Sequence, residues 1–155
     1  MLNATALLSD ELGKRLSSVF LRTFGGIKPH IAAFLDEAAR LVIERIGASD
    51  ALYHDAEHTA LVTLVVQDIV RGLRLRRTVS PEDWLHFIVA ALYHDFGYLR
   101  GVCHGDNGDR QMINSAGETV RLPRGRVGRL SRTLPRFPIA DRRARTFCLA
   151  RTVRR

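Results

Sequence analysis

The sequence predicts a mainly α-helical fold, and three observations on its first hundred residues agree on it. Apolar residues recur at intervals of three and four, as they do along one face of a helix. Glycines and prolines stand at the ends of these periodic stretches, and a run typical of a helix start, Ser80 to Asp83, precedes one of them. The chain has 155 residues, enough for one domain of ordinary size. We therefore expect a single helical bundle.

The first two predicted helices are expected to pack as a pair. The first covers residues 6–24 and ends at Gly25 and Gly26. The second begins at Pro29, a favoured first helical position, and ends before Gly47. Their apolar stripes are Leu7, Leu12, Leu16, Phe20 and Phe24 in the first helix, and Ile31, Phe34, Leu35, Ala38, Val42 and Ile46 in the second.

Two further helices follow. The third is led in by residues 50–55, runs for about five turns and ends near Gly72. The fourth starts at Ser80, whose hydroxyl is expected to form a capping box with Asp83, and it ends around residues 94–97. The predicted buried residues are Leu61, Val62, Val65, Ile69 and Leu73 in the third helix, and Trp84, Phe87, Ile88, Ala91 and Leu92 in the fourth.

Beyond residue 101 the helical pattern stops. Residues 105–109 are rich in turn formers, and residues 112–114 and 119–122 flank a short polar segment in a way that is typical of a small β-hairpin. After Pro123 neither a period of 2 nor one of 3.6 is sustained. We therefore divide the chain into a helical domain of residues 1–120 and a poorly ordered tail of residues 121–155.

The net charge of +8 is concentrated in that tail. Residues 1–120 hold 12 basic and 15 acidic side chains, whereas residues 121–155 hold 12 arginines, no lysine and one acid, Asp141. One hypothesis is an arm that binds nucleic acid or another polyanion through phosphate contacts. The other is the end of a GC-rich coding sequence read in a shifted frame, which would also explain why later helices are missing.

Composition excludes several classes of protein. Cys103 and Cys148 cannot build a disulfide framework and lack the paired spacing of a structural zinc site. The longest apolar runs, residues 60–66 and 87–93, are far shorter than the roughly 20 residues that span a bilayer. Asp10 and Glu11 interrupt the N-terminal segment, which argues against a secretory signal. We expect a cytoplasmic protein with no membrane partner.

Three histidines and an aspartate form the candidate functional site. His54 and His58 are four residues apart at the start of the third helix, a spacing that places both on one face. His94 and Asp95 are adjacent at the end of the fourth helix. Imidazole and carboxylate donors together suit divalent metals, and so small a set leaves coordination positions open for water and substrate. The alternative is that these histidines are ordinary hydrogen-bonded residues of the fold.

Two stretches carry a resemblance to a known family. Residues 53–62, YHDAEHTALV, resemble the first motif of the HD-domain metal-dependent phosphohydrolases, and residues 90–98, AALYHDFGY, resemble the second. The first stretch has the additional histidine, one turn earlier, that is found in the cyclic-nucleotide phosphodiesterase branch of that family. The resemblance covers roughly residues 50–101 and implies an HD-type helical bundle.

The resemblance also implies roles for individual residues. His58, His94 and Asp95 would be ligands of a divalent metal ion, which could be Mn, Fe, Zn, Mg, Co or Ni, and Asp95 would be able to bridge two ions. His54 would be the general acid that protonates the leaving oxygen. The chemistry suits these roles, because metal-bound water is a usable nucleophile near neutral pH and imidazole titrates in the same range.

This chain departs from the family pattern after the second motif. The family closes its metal site with a further aspartate on a later helix, often after an alanine, and Asp141 after Ala140 is the candidate here, although no apolar helical run surrounds it. Arg100 and His104 follow the second motif and would contact substrate phosphate, unless they belong to a solvated surface.

The sequence therefore leaves three hypotheses for function. The first is a metal-dependent phosphohydrolase that acts on a phosphomonoester or phosphodiester, with a nucleotide or cyclic nucleotide as the expected kind of substrate. The second is a non-catalytic HD-like module that binds metal and regulates. The third is polyanion binding through residues 121–155.

Overall fold

A computed structural model describes residues 3–49, 54–96 and 99, together with the backbone of residues 110–112 and 119–121. Four helices account for most of these residues, which confirms the mainly α-helical prediction. Within the described ranges, no helix is both long enough and apolar enough to cross a bilayer. The helices are α1 (Ala4–Phe24), α2 (Pro29–Gly47), α3 (Ala56–Arg74) and α4 (Pro81–Tyr93).

The ends of the helices follow from local capping. The Asn3 side chain accepts a hydrogen bond from the amide of Ala6 at 3.2 Å, so α1 begins two residues earlier than its apolar stripe indicates. Gly25 ends α1 with φ at 65°, a conformation that favours glycine. The capping box of α4 is present as predicted: the Asp83 amide donates to the Ser80 hydroxyl at 3.0 Å, and the Ser80 amide donates to the Asp83 carboxylate at 3.2 Å.

Helices α1 and α2 pack against each other along their apolar stripes, as the sequence predicts. Leu16 and Phe20 of α1 and Leu35 and Ile43 of α2 have no exposed surface. Removing each of these side chains from water contributes about 1.5–3 kcal/mol. Most of the described core therefore forms between α1 and α2, which α4 and part of α3 also contact.

An ion-pair network links α1 to α2 at the surface. Asp10 of α1 accepts hydrogen bonds from Lys14 of the same helix and from Arg40 of α2. Arg40 also donates to Asp36 at 3.1 Å. The hydrogen bond from Lys14, followed by the one from Arg40, lowers the pKa of Asp10 below its ordinary value.

The prediction of which face of α3 is buried is wrong. Leu61, Val65 and Ile69 are 58%, 58% and 57% exposed, although the sequence predicts that they are buried. The face that α3 buries consists largely of small or polar residues. Three other residues of the predicted apolar stripes are also exposed, to between 41% and 55%: Leu7, Phe34 and Phe87. The buried residues of α3 are Ala56, Thr59, Ala60, Thr63, Gln67 and Val70.

A hydrogen bond to the helix backbone lowers the cost of burying one of these polar side chains. The Thr63 hydroxyl donates to the carbonyl oxygen of Thr59 at 2.8 Å, so one buried polar group is satisfied within α3 itself. Within the described part of the chain, three buried side-chain atoms have no hydrogen-bond partner: Thr59 Oγ1, Gln67 Nε2 and Trp84 Nε1. The polar row therefore stabilises the fold less than an apolar row of the same size would.

The described residues fall into two compact units. The first contains the four helices and extends to His94, and the second contains Ser49, Asp95, Phe96, Leu99 and the strand backbones. In the second unit, strand β1 (Arg110–Met112) pairs antiparallel with β2 (Thr119–Arg121), so a hairpin is present close to where the sequence predicts one. Apart from the backbone of Arg121, the predicted tail lies outside the described residues.

Candidate metal centre

The start of α3 brings two histidines together. Asp55 is the N-cap of the helix, and its side chain accepts a hydrogen bond from the amide of His58 at 2.8 Å. His54 immediately precedes this cap and so lies outside the helix, whereas the sequence predicts both histidines on one helical face. Their ring centroids are nevertheless 5.9 Å apart, with the ring planes at 84°. The two imidazole rings are therefore brought together by the backbone conformation just before α3.

A third imidazole lies at the end of α4. His94 is the C-cap of that helix, and its Nδ1 is 2.7 Å from the carbonyl oxygen of Ala91. Because a carbonyl oxygen only accepts, Nδ1 is the donor, and in the neutral ring the lone pair is on Nε2. The ring centroid of His94 is 5.5 Å from that of His58. Metal-binding histidines are commonly oriented by a hydrogen bond of this kind.

Asp95 adds a carboxylate to the imidazoles. It directly follows His94 and is only 6% exposed. One ligand atom each from His54, His58 and Asp95 can be chosen so that all three lie within 4.8 Å of one another. This three-residue group is able to hold a metal ion.

The donor set and its spacing fit a divalent metal. Metal bonds to imidazole nitrogen and carboxylate oxygen are about 2.0–2.2 Å long, which puts two ligands of one tetrahedral ion roughly 3.4 Å apart. Separations of up to 4.8 Å therefore need only small side-chain movements to close around an ion. Three protein ligands also leave coordination positions for water and substrate, which is the pattern of catalytic sites.

The structural group differs from the predicted ligand set in one histidine. The resemblance assigns His58, His94 and Asp95 to the metal and proton transfer to His54, whereas the structure groups His54 with His58 and Asp95. The spacing of the two histidines of the first motif did signal a shared site, but it carried no information on their roles. Three further candidates lie outside the described residues: Arg100, His104 and Asp141.

Charged and titratable side chains other than the candidate ligands also lie at the start of α3 and the end of α4. Asp55 and Glu57 lie at the N-terminus of α3, where carboxylates complement the helix dipole. Tyr93, the last residue of α4, is half-buried, and this burial raises the pKa of its phenol. The hydroxyl therefore stays neutral at physiological pH, and Tyr93 adds no negative charge beside His94.

Comparison with known proteins identifies the family. No curated protein and no solved structure matches the chain. One family model, described as Npun_R2479-like, matches residues 2–144, so the match includes all four helices and extends into the arginine-rich segment. That description names no activity. The chain belongs to the Npun_R2479-like family.

Proposed function

We propose that the chain is a metal-dependent phosphohydrolase whose divalent metal is held by His54, His58 and Asp95. The observation that supports the metal site best is the three-residue group, in which two imidazoles and one buried carboxylate place ligand atoms within 4.8 Å of one another. The reaction class is suggested by the resemblance of residues 53–62 and 90–98 to the two HD motifs.

The donor set favours some metals over others. Two nitrogens and one oxygen suit Mn, Fe, Co, Ni or Zn, whereas Mg prefers oxygen ligands and retained waters. We therefore expect the purified chain to carry one of the first five metals and to bind Mg more weakly. When bound, such an ion supplies a water of lowered pKa and positive charge for the phosphoryl oxygens.

The protein's own residues position the reactants. Asp55 caps the first turn of α3 by accepting a hydrogen bond from the His58 amide, which fixes the backbone that carries His58. The Ala91 carbonyl fixes the His94 ring through Nδ1. His94 is exposed and lies beside His58. When the ring is protonated both of its nitrogens are donors, so we assign its Nε2–H a hydrogen bond to an oxygen of the bound phosphate ester while Nδ1 donates to Ala91.

Metal analysis of the full chain, combined with hydrolysis assays, tests the proposal. The substrates are p-nitrophenyl phosphate and bis-p-nitrophenyl phosphate with added Mn²⁺. We expect His58→Ala and Asp95→Ala to lose both bound metal and hydrolysis. The matched control is His86→Ala, because this exposed histidine lies in α4 about two turns before His94. It is expected to keep both metal and activity.

Two more variants decide between the ligand sets. In this proposal His54→Ala loses metal, and His94→Ala keeps metal while the KM for the phosphate ester rises. The opposite result would establish the set implied by the family resemblance, with His54 as the proton donor. Metal bound without hydrolysis of either ester would favour a non-catalytic regulatory module. A wild-type chain without metal would contradict the proposal.

A further inference from the structure

Helix α3 presents an apolar row to solvent. Leu61, Val65 and Ile69 are four residues apart and more than half exposed, so they form one continuous ridge. Exposed apolar ridges of this kind typically mark interaction surfaces. Exposed Gly72 follows the ridge, and among the described residues nothing lies within 4 Å of where a side chain on it would begin. Within this part of the chain the ridge is therefore open to the approach of a second helix.

Charges at the two ends of this ridge have opposite signs. Exposed Glu57 lies in the first turn of α3, eight residues before Val65, and exposed Arg71 lies in the last turn, six residues after it. At 3.6 residues per turn, both fall on the same flank of the ridge. Arg71 pairs with Asp68 on its own helix at 3.1 Å, and the two side chains are 57% and 62% exposed. Arg71 is thus presented on the surface of that flank.

We propose that α3 forms an antiparallel pair with α3 of a second copy of this chain, across a two-fold axis at Val65. In this arrangement Leu61 packs against Ile69 of the other copy, and the two Val65 side chains meet at the axis. The same flanks face each other in an antiparallel pair, so Glu57 of each copy lies beside Arg71 of the other.

The order of charge along α3 favours a second copy over an unrelated partner. The flank carries Glu57 at one end and the exposed Asp68–Arg71 pair at the other, so turning one copy end for end brings Glu57 of one copy beside Arg71 of the other. Each attractive pair is then made twice by the symmetry. Antiparallel pairing also places the positive end of one helix dipole beside the negative end of the other.

Sedimentation equilibrium of the full chain tests this pairing. We expect the wild-type chain to be a dimer and Val65→Glu, which puts two carboxylates at the axis, to raise the dissociation constant roughly tenfold or more. The matched control is Leu41→Glu on α2, because Leu41 is also 58% exposed. Circular dichroism confirms that each variant keeps its helices. A monomeric wild-type chain, or a dimer unaffected by Val65→Glu, would overturn the proposal.

Charge exchange and cross-linking test the orientation. Glu57→Arg and Arg71→Glu are each expected to weaken the dimer, and the double variant is expected to restore it. With Cys103 and Cys148 replaced by serine, Val65→Cys is expected to form a disulfide-linked dimer on mild oxidation, because a residue on the axis meets itself. Leu41→Cys is the control that is expected to stay unlinked. Failure of both the double variant and the Val65→Cys cross-link would exclude the antiparallel arrangement.

Discussion

Helices α2 and α3 have the same length, 19 residues, and each carries apolar residues at helical spacing, yet they bury opposite kinds of face. Helix α2 places Leu35 and Ile43 in the core with no exposed surface. Helix α3 leaves Leu61 and Val65 more than half exposed. Its buried row instead contains Thr63 and other small or polar residues.

The difference shows what an apolar period determines. It predicts that a segment forms a helix, and both helices lie where the sequence places them. It does not determine which face meets the core, because that depends on the surfaces of the neighbouring helices. Small side chains such as Ala56 and Ala60 allow close approach of α3 to its neighbours, and the Thr63 hydroxyl is satisfied by the helix backbone. An apolar ridge is then left for another partner.

Leucine-to-alanine substitutions on α2 and α3 test the difference in burial between the two helices. We expect Leu35→Ala on α2 to lower the free energy of unfolding by about 2–5 kcal/mol, because it leaves a cavity among fully buried neighbours. We expect Leu61→Ala on α3 to lower it by less than about 0.5 kcal/mol in dilute protein, where a dimer would dissociate. Urea unfolding followed by the fluorescence of Trp84 measures both.

Equal losses of unfolding free energy in the two variants would contradict the difference in burial between α2 and α3. They would mean that Leu61 is buried in the single chain in solution and that α3 packs as the sequence predicts. A loss for Leu61→Ala that appears only at high protein concentration would support the difference, since the ridge would then be buried between two copies.

A smaller effect distinguishes two threonines one turn apart on α3. Thr63→Val is expected to lower the free energy of unfolding by about 1 kcal/mol, because the hydrogen bond to the Thr59 carbonyl is lost. Thr59→Val is expected to be neutral or stabilising by up to about 1 kcal/mol, because Thr59 Oγ1 has no hydrogen-bond partner in the described chain. Both threonines are fully buried, and both replacements keep a β-branched side chain.

Urea midpoints of the two threonine variants measure both changes in stability. A larger loss for Thr59→Val than for Thr63→Val would show that the Thr59 hydroxyl makes a hydrogen bond in solution. The buried row of α3 would then stabilise the fold in its own right, and the contrast with α2 would be smaller.

Local signals in the sequence were sufficient for the helices. Helix ends are set by neighbouring residues, as shown by the capping box of Ser80 and Asp83 and by the C-cap Gly25. Such signals can be recognised in the sequence without knowledge of the fold. Which face of α3 is exposed could not be predicted from local signals. Whether Leu61 is buried or exposed depends on elements that are distant in sequence. Helix starts and stops were thus predictable to within a few residues, whereas the orientation of α3 was not.

The candidate site shows the same division. The adjacency of His94 and Asp95 and the spacing of the other two histidines indicated one cluster, and the structure brings these side chains close together. Which imidazoles have a nitrogen close to an Asp95 oxygen could not be predicted from the spacing. The position of His54 depends on the backbone before the N-cap of α3, which a spacing does not encode.

Substitutions of surface carboxylates on α1 and α3 are expected to change stability only slightly. Asp10 joins α1 to α2 through Arg40, and its pKa is lowered in the folded chain by Lys14 first and Arg40 second. A group whose pKa falls on folding stabilises the protein above its ordinary pKa, 3.8 for this carboxyl, and loses that contribution as the pH falls through the folded value. Asp10→Asn is therefore expected to lower the urea midpoint slightly at pH 7 and by less at pH 3.

The matched control is Asp68→Asn on α3, because the ion pair of Asp68 with Arg71 stays within one exposed helix and joins no two elements. We expect it to leave the midpoint of dilute protein nearly unchanged at both pH values, since exposed pairs of this kind contribute little. An Asp10→Asn difference that is the same at pH 3 and pH 7 would show that its carboxylate acts through packing rather than charge. A pH-dependent loss confined to Asp10 would instead mean that α1 and α2 are joined by charge as well as by their apolar core, a link that the described residues do not show for the exposed face of α3.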